Sequence, residues 1–127
     1  MVTCVEKVHI LINKALVHRK EEIGFMFRKS LEELLNDSND KLVVDLRKKG
    51  DFLKESFPGA INIYYEDFYK YLDILPQNKR IYVFCYTGVS GDEIAEELSQ
   101  KGYDIYSIEE GYRAILRMKV RRMMGRK

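Results

Sequence analysis

One cysteine of this sequence lies where a thiolate would be stabilised. Cys85 follows the apolar run at residues 81–84, which is typical of a strand buried on both faces of a parallel sheet. Ser90 and Glu93 then form a capping-box pattern, which predicts that a helix covers residues 91–101. Backbone N–H groups at the start of a helix attract anions, and the reactive form of cysteine is an anion. The pattern therefore predicts that Cys85 is the working residue.

Three other kinds of cysteine chemistry lack the residues that they need. A phosphatase loop requires an arginine six positions after the cysteine, where this sequence has Gly91. Dithiol redox chemistry requires a second cysteine at Cys-x-x-Cys spacing, and the residues after Cys85 include none. A papain-like nucleophile requires a histidine base, and both histidines, His9 and His18, lie in an N-terminal segment whose pattern fits either a helix or a strand.

A thiolate held by backbone N–H groups alone suits a cysteine that carries an extra sulfur atom as a persulfide. Gly88 lets the backbone curl around that sulfur, and the hydroxyls of Thr87 and Ser90 can add donors. We expect neither a metal nor a cofactor. The predicted sulfur-binding residues are those that follow the cysteine, namely Tyr86, Thr87, Gly88, Val89, Ser90 and Gly91.

The elements that position Cys85 alternate between strands and helices, which predicts a parallel α/β sheet. Further strands are predicted at residues 42–46, 61–63 and 105–108, and helices at residues 31–36, 51–55, 65–72 and 112–123. Because carboxyl ends of parallel strands meet at one edge, Asp45, Arg47 and Cys85 should lie close together. Asp45 and Arg47 either pair with each other or cap a helix, and Arg47 is also a candidate substrate ligand.

Four motifs of this chain resemble those of the rhodanese-like sulfurtransferases, in the same order and spacing. They are Leu-Val-Val-Asp-Leu-Arg at residues 42–47, Phe-Pro-Gly-Ala-Ile-Asn-Ile at 57–63, Cys-Tyr-Thr-Gly-Val-Ser at 85–90 and Ile-Glu-Glu-Gly-Tyr-Arg-Ala at 108–114. The resemblance implies a parallel five-stranded sheet flanked by helices. It also implies a ping-pong reaction in which Cys85 takes a sulfane sulfur from thiosulfate or a persulfide and passes it to cyanide or a thiol. Tyr86 would then line the acceptor site, with Arg47 binding substrate and Asp45 supporting it.

The chain departs from the family's pattern at four positions. Ser56, Glu110 and Ile115 replace a histidine, a glycine and a tryptophan, and we expect these changes to affect packing. Ser90 stands where the loop often has arginine, so the loop has no cation and a donor other than thiosulfate is favoured. The alternative to an enzyme is a non-enzymatic module of the same fold that carries sulfur or binds a partner.

The composition of the 127-residue chain fits one globular domain. With two cysteines and no long apolar segment, we expect a cytoplasmic protein without a membrane span. Residues 1–29 are interpreted as an N-terminal extension that packs on the core or forms a homodimer, and residues 30–127 as the domain. Its C-terminal helix is basic from residue 113 onward. A solvated helix end explains this charge better than binding of nucleic acid or anionic lipid.

Overall fold

The computed structural model describes residues 27–125. The strands of this part of the chain are β1 Arg28–Lys29, β2 Lys41–Asp45, β3 Ile61–Asn62, β4 Arg80–Phe84 and β5 Ile105–Ile108. The helices are α1 Leu31–Leu35, α2 Lys49–Lys54, α3 Val89–Gln100 and α4 Tyr112–Gly125, and a 3₁₀ helix covers Tyr65–Ile74. None of these helices is long and apolar enough to cross a membrane.

The five strands form one parallel sheet in the order β1-β5-β4-β2-β3, which confirms the predicted fold class. The strand β4 lies in the middle, and its residues Ile81, Tyr82, Val83 and Phe84 are fully buried. A strand covered on both faces needs apolar side chains at every position. This is why the sequence of β4 is a continuous apolar run rather than an alternating one.

Each face of the sheet has its own apolar core. On one face, Val83 packs with Ile94 and Leu98 of α3 and with Phe68 of the 3₁₀ helix. On the other face, α1 and α4 cover the sheet, and the residues that pack there are Leu31, Leu34, Val43, Tyr82, Phe84, Ile108, Ala114 and Ile115. Helices on both faces are the arrangement that the alternation of strands and helices predicts.

The edge strand β1 was not expected from the sequence. Arg28 and Lys29 pair with Ser107 and Ile108 of β5, and a two-residue strand is too short to show the periodicity of a strand. The residues before Phe27 lie outside the described part of the chain. The prediction of a helix or strand there, the homodimer contact assigned to that segment, and the residues Cys4, His9 and His18 therefore have no structural counterpart in this description.

The start of α3 corrects the sequence prediction. The helix begins at Val89, after Gly88, and Ser90 lies in its first turn instead of capping it. The reason is the left-handed backbone of Gly88, with φ of +94°, which turns the chain directly into the helix and allows Gly88 to accept a hydrogen bond from the N–H of Asp92 at 2.9 Å. Three residues, not five, therefore separate Cys85 from the helix.

The end of α3, at Gln100, lies one residue before the predicted end. Gly102, also left-handed, donates its N–H to the carbonyl of Ser99 at 3.1 Å, and Tyr103 donates to that of Leu98 at 3.1 Å. These two bonds form a Schellman motif, which satisfies carbonyl groups that the helix leaves unpaired.

Candidate active site

Cys85 lies at the carboxyl end of β4, in a loop of residues 85–88 that leads into α3, and only 4% of it is exposed. Its Sγ accepts a hydrogen bond from the N–H of Gly88 at 2.8 Å. Gly88 is also the N-cap of the twelve-residue α3, so the sulfur lies next to the positive end of that helix. A backbone donor and a helix N-terminus both stabilise a thiolate over a thiol.

The other residues of the predicted sulfur site lie in this loop or at the start of α3, and they differ in exposure and contacts. Tyr86, Thr87 and Val89 are exposed at its rim, and Ser90 is half-buried. Within the described chain, neither the hydroxyl of Thr87 nor that of Ser90 bonds to Sγ, so the donor to sulfur is the backbone N–H of Gly88. Gly91 packs its α-carbon against β5, because a Cβ there would lie 2.8 Å from Oγ of Ser107.

Gly111 holds the loop from the other side, a role that sequence reasoning missed. A Cβ at this position would lie 2.8 Å from the carbonyl oxygen of Cys85 and 2.9 Å from that of Tyr86, and the residue has φ of +55°. The next residue, Tyr112, donates its N–H to the carbonyl of Tyr86 at 3.3 Å. The start of α4 thus packs directly on the backbone of the Cys85 loop, and the signal for this in the sequence was the glycine of the closing motif.

Asp45 and Arg47 pair with each other at the same edge of the sheet, which is one of the two arrangements expected from the sequence. Both are buried, with Nη2 of Arg47 2.8 Å from Oδ2 of Asp45 and Nε 3.0 Å from Oδ1. The guanidinium also donates to the carbonyl of Glu55 at 2.6 Å and lies 4.9 Å from the centre of the Tyr112 ring. Although burial opposes the charged form, the hydrogen bonds and charge of Asp45 hold the pKa of Arg47 above its ordinary value.

A cavity of about 220 Å³ lies beside the loop, lined by Arg47, Asp51, Lys54, Glu55, Tyr86 and Tyr112. Tyr86 projects from the loop, and its hydroxyl donates to the carboxylate of Asp51 in α2. This hydrogen bond is the main reason that the pKa of Tyr86 is raised. The cavity therefore has α2 as one wall and Tyr86 with Tyr112 as the other.

Three of the departures from the family's pattern are structural, as expected. Ser56 donates to Oδ2 of Asp45 at 2.7 Å. Glu110 accepts the N–H of Leu31, at the start of α1, at 3.0 Å and pairs with Arg117 at 3.1 Å. Ile115 is fully buried in the core that α1 and α4 form with the sheet. These contacts support the elements that hold the loop and do not reach the sulfur.

A family model described as "Rhodanese-like domain" matches residues 28–118 of this chain. The tRNA sulfurtransferase of Desulfurococcus amylolyticus is 33% identical over 86 residues, which cover 65% of this chain and 17% of that protein. The tRNA sulfurtransferase of Pyrobaculum aerophilum is 28% identical, and the match covers 83% of this chain and 22% of that protein. The chain thus spans about a fifth of the length of these two relatives.

Shorter proteins match over most of their length. The thiosulfate sulfurtransferase GlpE of Shewanella oneidensis is 26% identical over 81 residues, which cover 63% of this chain and 80% of that protein. Among solved structures, a rhodanese-related protein from Thermoplasma volcanium has a TM-score of 0.63 at 25% identity, covering 72% of this chain and 91% of that one.

Proposed function

This chain belongs to the rhodanese-like domain family, and from that premise we propose that it is a sulfurtransferase that works through a persulfide on Cys85. The observation that carries the proposal is the position of Sγ, buried at the N-terminus of α3 and 2.8 Å from the N–H of Gly88. A persulfide ends in a sulfur anion, and backbone N–H groups are the donors that favour an anion without adding a competing base. Similarity to sulfurtransferases supports the same assignment.

The proposed reaction has two steps. In the first, the thiolate of Cys85 attacks the outer sulfur of the donor, so that the donor's sulfur–sulfur bond breaks and its electron pair leaves with sulfite or with a thiolate. In the second, a thiolate or cyanide attacks the terminal sulfur of the Cys85 persulfide, and the bond to Sγ breaks. Cys85 returns as a thiolate, and no outside oxidant or reductant is needed.

We further propose that the donor is a persulfide rather than thiosulfate. Thiosulfate is a dianion, and the Cys85 loop provides no cationic side chain because Ser90 stands in the position that could hold one. The nearest buried cation, Arg47, is already paired with Asp45. The persulfide group carries a single negative charge, so it needs fewer positive groups around it than the thiosulfate dianion. Both persulfide chemistry and the small number of cysteines fit a reducing compartment such as the cytoplasm.

The acceptor proposed here is a thiol. The matched part is only about a fifth of each relative named for tRNA, so tRNA is not included in the proposal. A non-enzymatic partner-binding module is the second candidate, because Val120, Met123 and Met124 of the basic helix α4 are exposed. Such a module would not need a reactive Cys85.

Steady-state sulfur transfer to cyanide distinguishes these proposals. We expect a higher kcat/KM with a small-molecule persulfide as donor than with thiosulfate, and no enzyme-dependent turnover with Cys85→Ser. The control is Cys4→Ser, which removes the other cysteine and should turn over like the unmodified protein. Turnover that persists in Cys85→Ser would reject the assigned nucleophile, and thiosulfate as the better donor would reject the donor class.

A further inference from the structure

The helix α2 covers the cavity beside the Cys85 loop without being anchored in the core. It has six residues, none of which is buried, and Leu53 is 69% exposed. Burial of apolar side chains is what normally holds a helix of this length against a domain. Phe52 is only half-buried, so the polar contacts of α2 contribute strongly to its position.

Those contacts come from three directions. Arg47 donates from Nη2 to the carbonyl of Glu55 at 2.6 Å, and Arg122 of α4 lies 3.4 Å from the Glu55 carboxylate. The third contact joins the hydroxyl of Tyr86 to the carboxylate of Asp51, and the same hydroxyl accepts a weak hydrogen bond from the N–H of Lys48 at 3.4 Å. Of these contacts, the ones made by Tyr86 link α2 to the Cys85 loop.

We propose that the Tyr86–Asp51 hydrogen bond closes the approach to Cys85 to all but small acceptors, so that these two side chains select an amino-acid-sized thiol over a peptide or protein thiol. The inference rests on the proposed function, because it names the acceptor class of the same site. Asp51 acts here as a positioning residue, through Tyr86, and does not touch the sulfur.

The size and position of the cavity support this inference. Its volume of about 220 Å³ is below the roughly 300–1,000 Å³ typical of pockets for drug-sized ligands. Tyr86 directly follows Cys85 in the chain and lines the cavity, so the side chain that bonds Asp51 belongs to the same loop as the buried sulfur. Breaking the Tyr86–Asp51 hydrogen bond would let the first part of α2 move away from the loop, because no residue of α2 is buried and the contacts of Glu55 hold only its other end.

The test compares Tyr86→Phe and Asp51→Asn with the control Tyr71→Phe. The first removes the hydroxyl and keeps the charge of Asp51, whereas the second removes the charge. Tyr71 matches Tyr86 in exposure, at 44%, and lies on the 3₁₀ helix, away from the residues that line the cavity. Alkylation of sulfur-free Cys85 is followed by peptide mass spectrometry, which separates it from Cys4, with iodoacetamide as the small reagent and a fluorescein maleimide as the bulky one.

We expect the ratio of the bulky to the small rate to rise roughly fivefold in Tyr86→Phe, the change given by loss of one ordinary hydrogen bond, and to stay constant in Tyr71→Phe. The rise should be smaller in Asp51→Asn, because the amide oxygen still accepts the hydrogen bond without the charge. In parallel, discharge of the persulfide to glutathione should accelerate relative to discharge to cysteine. An unchanged alkylation ratio in Tyr86→Phe, or a change in Asp51→Asn alone, would overturn the inference. Alkylation of Cys85 does not require a persulfide. If the protein takes up no sulfur, the proposed function is rejected, but the alkylation ratio still tests whether the Tyr86–Asp51 hydrogen bond limits access to Cys85.

Discussion

The chemistry of the site depends on backbone geometry at a few residues around one sulfur atom. Cys85 accepts a hydrogen bond from the N–H of Gly88, and the left-handed conformation of Gly88 turns the chain from this loop directly into α3. Gly111 lets α4 approach the loop closely enough to bond the carbonyl of Tyr86 through Tyr112. Reactivity at Cys85 is therefore expected to be sensitive to side chains that never contact substrate.

Replacing Gly111 by alanine tests this dependence. The new Cβ would meet two backbone oxygens of the loop at less than 3.0 Å and would sit on a left-handed residue, so we expect a loss of roughly 1–3 kcal/mol in the free energy of unfolding together with loss of sulfur transfer. Urea unfolding and transfer assays measure the two effects. In Gly50→Ala, where a Cβ meets nothing within 4 Å, stability should hold or rise. Equal behaviour of the two variants would show that Gly111 does not constrain the loop.

The site residues were only partly predictable from the sequence. Cys85 could be proposed as the nucleophile because a cysteine between a buried strand and a helix start leaves a local pattern. Strand direction places Asp45 and Arg47 at the same edge of the sheet, whereas their pairing was one of two alternatives that the sequence left open. The contact of Gly111 with the loop could not be derived, because it joins two segments whose distance depends on how α4 packs. The Tyr86–Asp51 hydrogen bond is equally a product of tertiary structure, between residues 35 positions apart.

At the scale of elements, helix ends determine where the loops lie. Ser30 caps α1 by accepting the N–H of Glu33 at 3.1 Å, as the capping-box pattern predicts. The same pattern at Ser90 does not form a cap, because Gly88 takes the N-cap position of α3 two residues earlier. A capping-box pattern thus predicts the first residue of a helix only where no neighbouring residue, such as the left-handed Gly88, already takes the N-cap position.

The two serines give a matched pair of variants. Ser30→Ala should lower the free energy of unfolding by about 1 kcal/mol, since it leaves the N–H of Glu33 without its acceptor. Ser90→Ala should change that free energy by less than about 0.5 kcal/mol, because its hydroxyl caps no helix. Chemical denaturation of both variants under the same conditions measures the two changes in the free energy of unfolding. A larger effect at Ser90 than at Ser30 would mean that α3 begins where the sequence pattern places it.

At the scale of the whole molecule, charged groups stabilise the edge of the sheet opposite the Cys85 loop. The side chain of Asp37 is 4% exposed and lies beside Tyr82 and Arg80, and Nη1 of Arg80 lies 3.1 Å from its carboxylate. Burial pushes the pKa of Asp37 upward, but hydrogen bonds from Tyr82, Asn39 and Arg80 outweigh it, and the pKa lies well below its ordinary value. The ionised form is therefore favoured by folding.

This shift predicts the direction of acid unfolding. A carboxylate whose pKa is lower when folded stabilises the protein above its unfolded pKa of about 3.9, and that stability is lost as the pH falls toward the folded value. Asp37→Asn should be less stable at neutral pH and lose less stability between about pH 5 and pH 2. Urea unfolding at several pH values measures both. Parallel pH profiles for the two proteins would contradict the role assigned to Asp37.

The overall architecture was the most predictable level. Continuous apolar runs and helical periodicity identified β2, β3, β4 and β5 and the helices between them, since these patterns reflect burial of whole elements. The edge strand β1 was missed because two residues carry no period and pair only through their backbones with β5. The pattern of apolar residues along the chain does not show which elements that lie far apart in the sequence contact each other in the fold.

The central claim is that Cys85 carries a transferable sulfur, and the most direct test is the intact mass of the protein after incubation with a persulfide donor. We predict a gain of one sulfur atom that is absent in Cys85→Ser, retained in Cys4→Ser and lost when a thiol acceptor is added. A protein that gains no sulfur from either a persulfide or thiosulfate, or that gains it equally in Cys85→Ser, would contradict the claim.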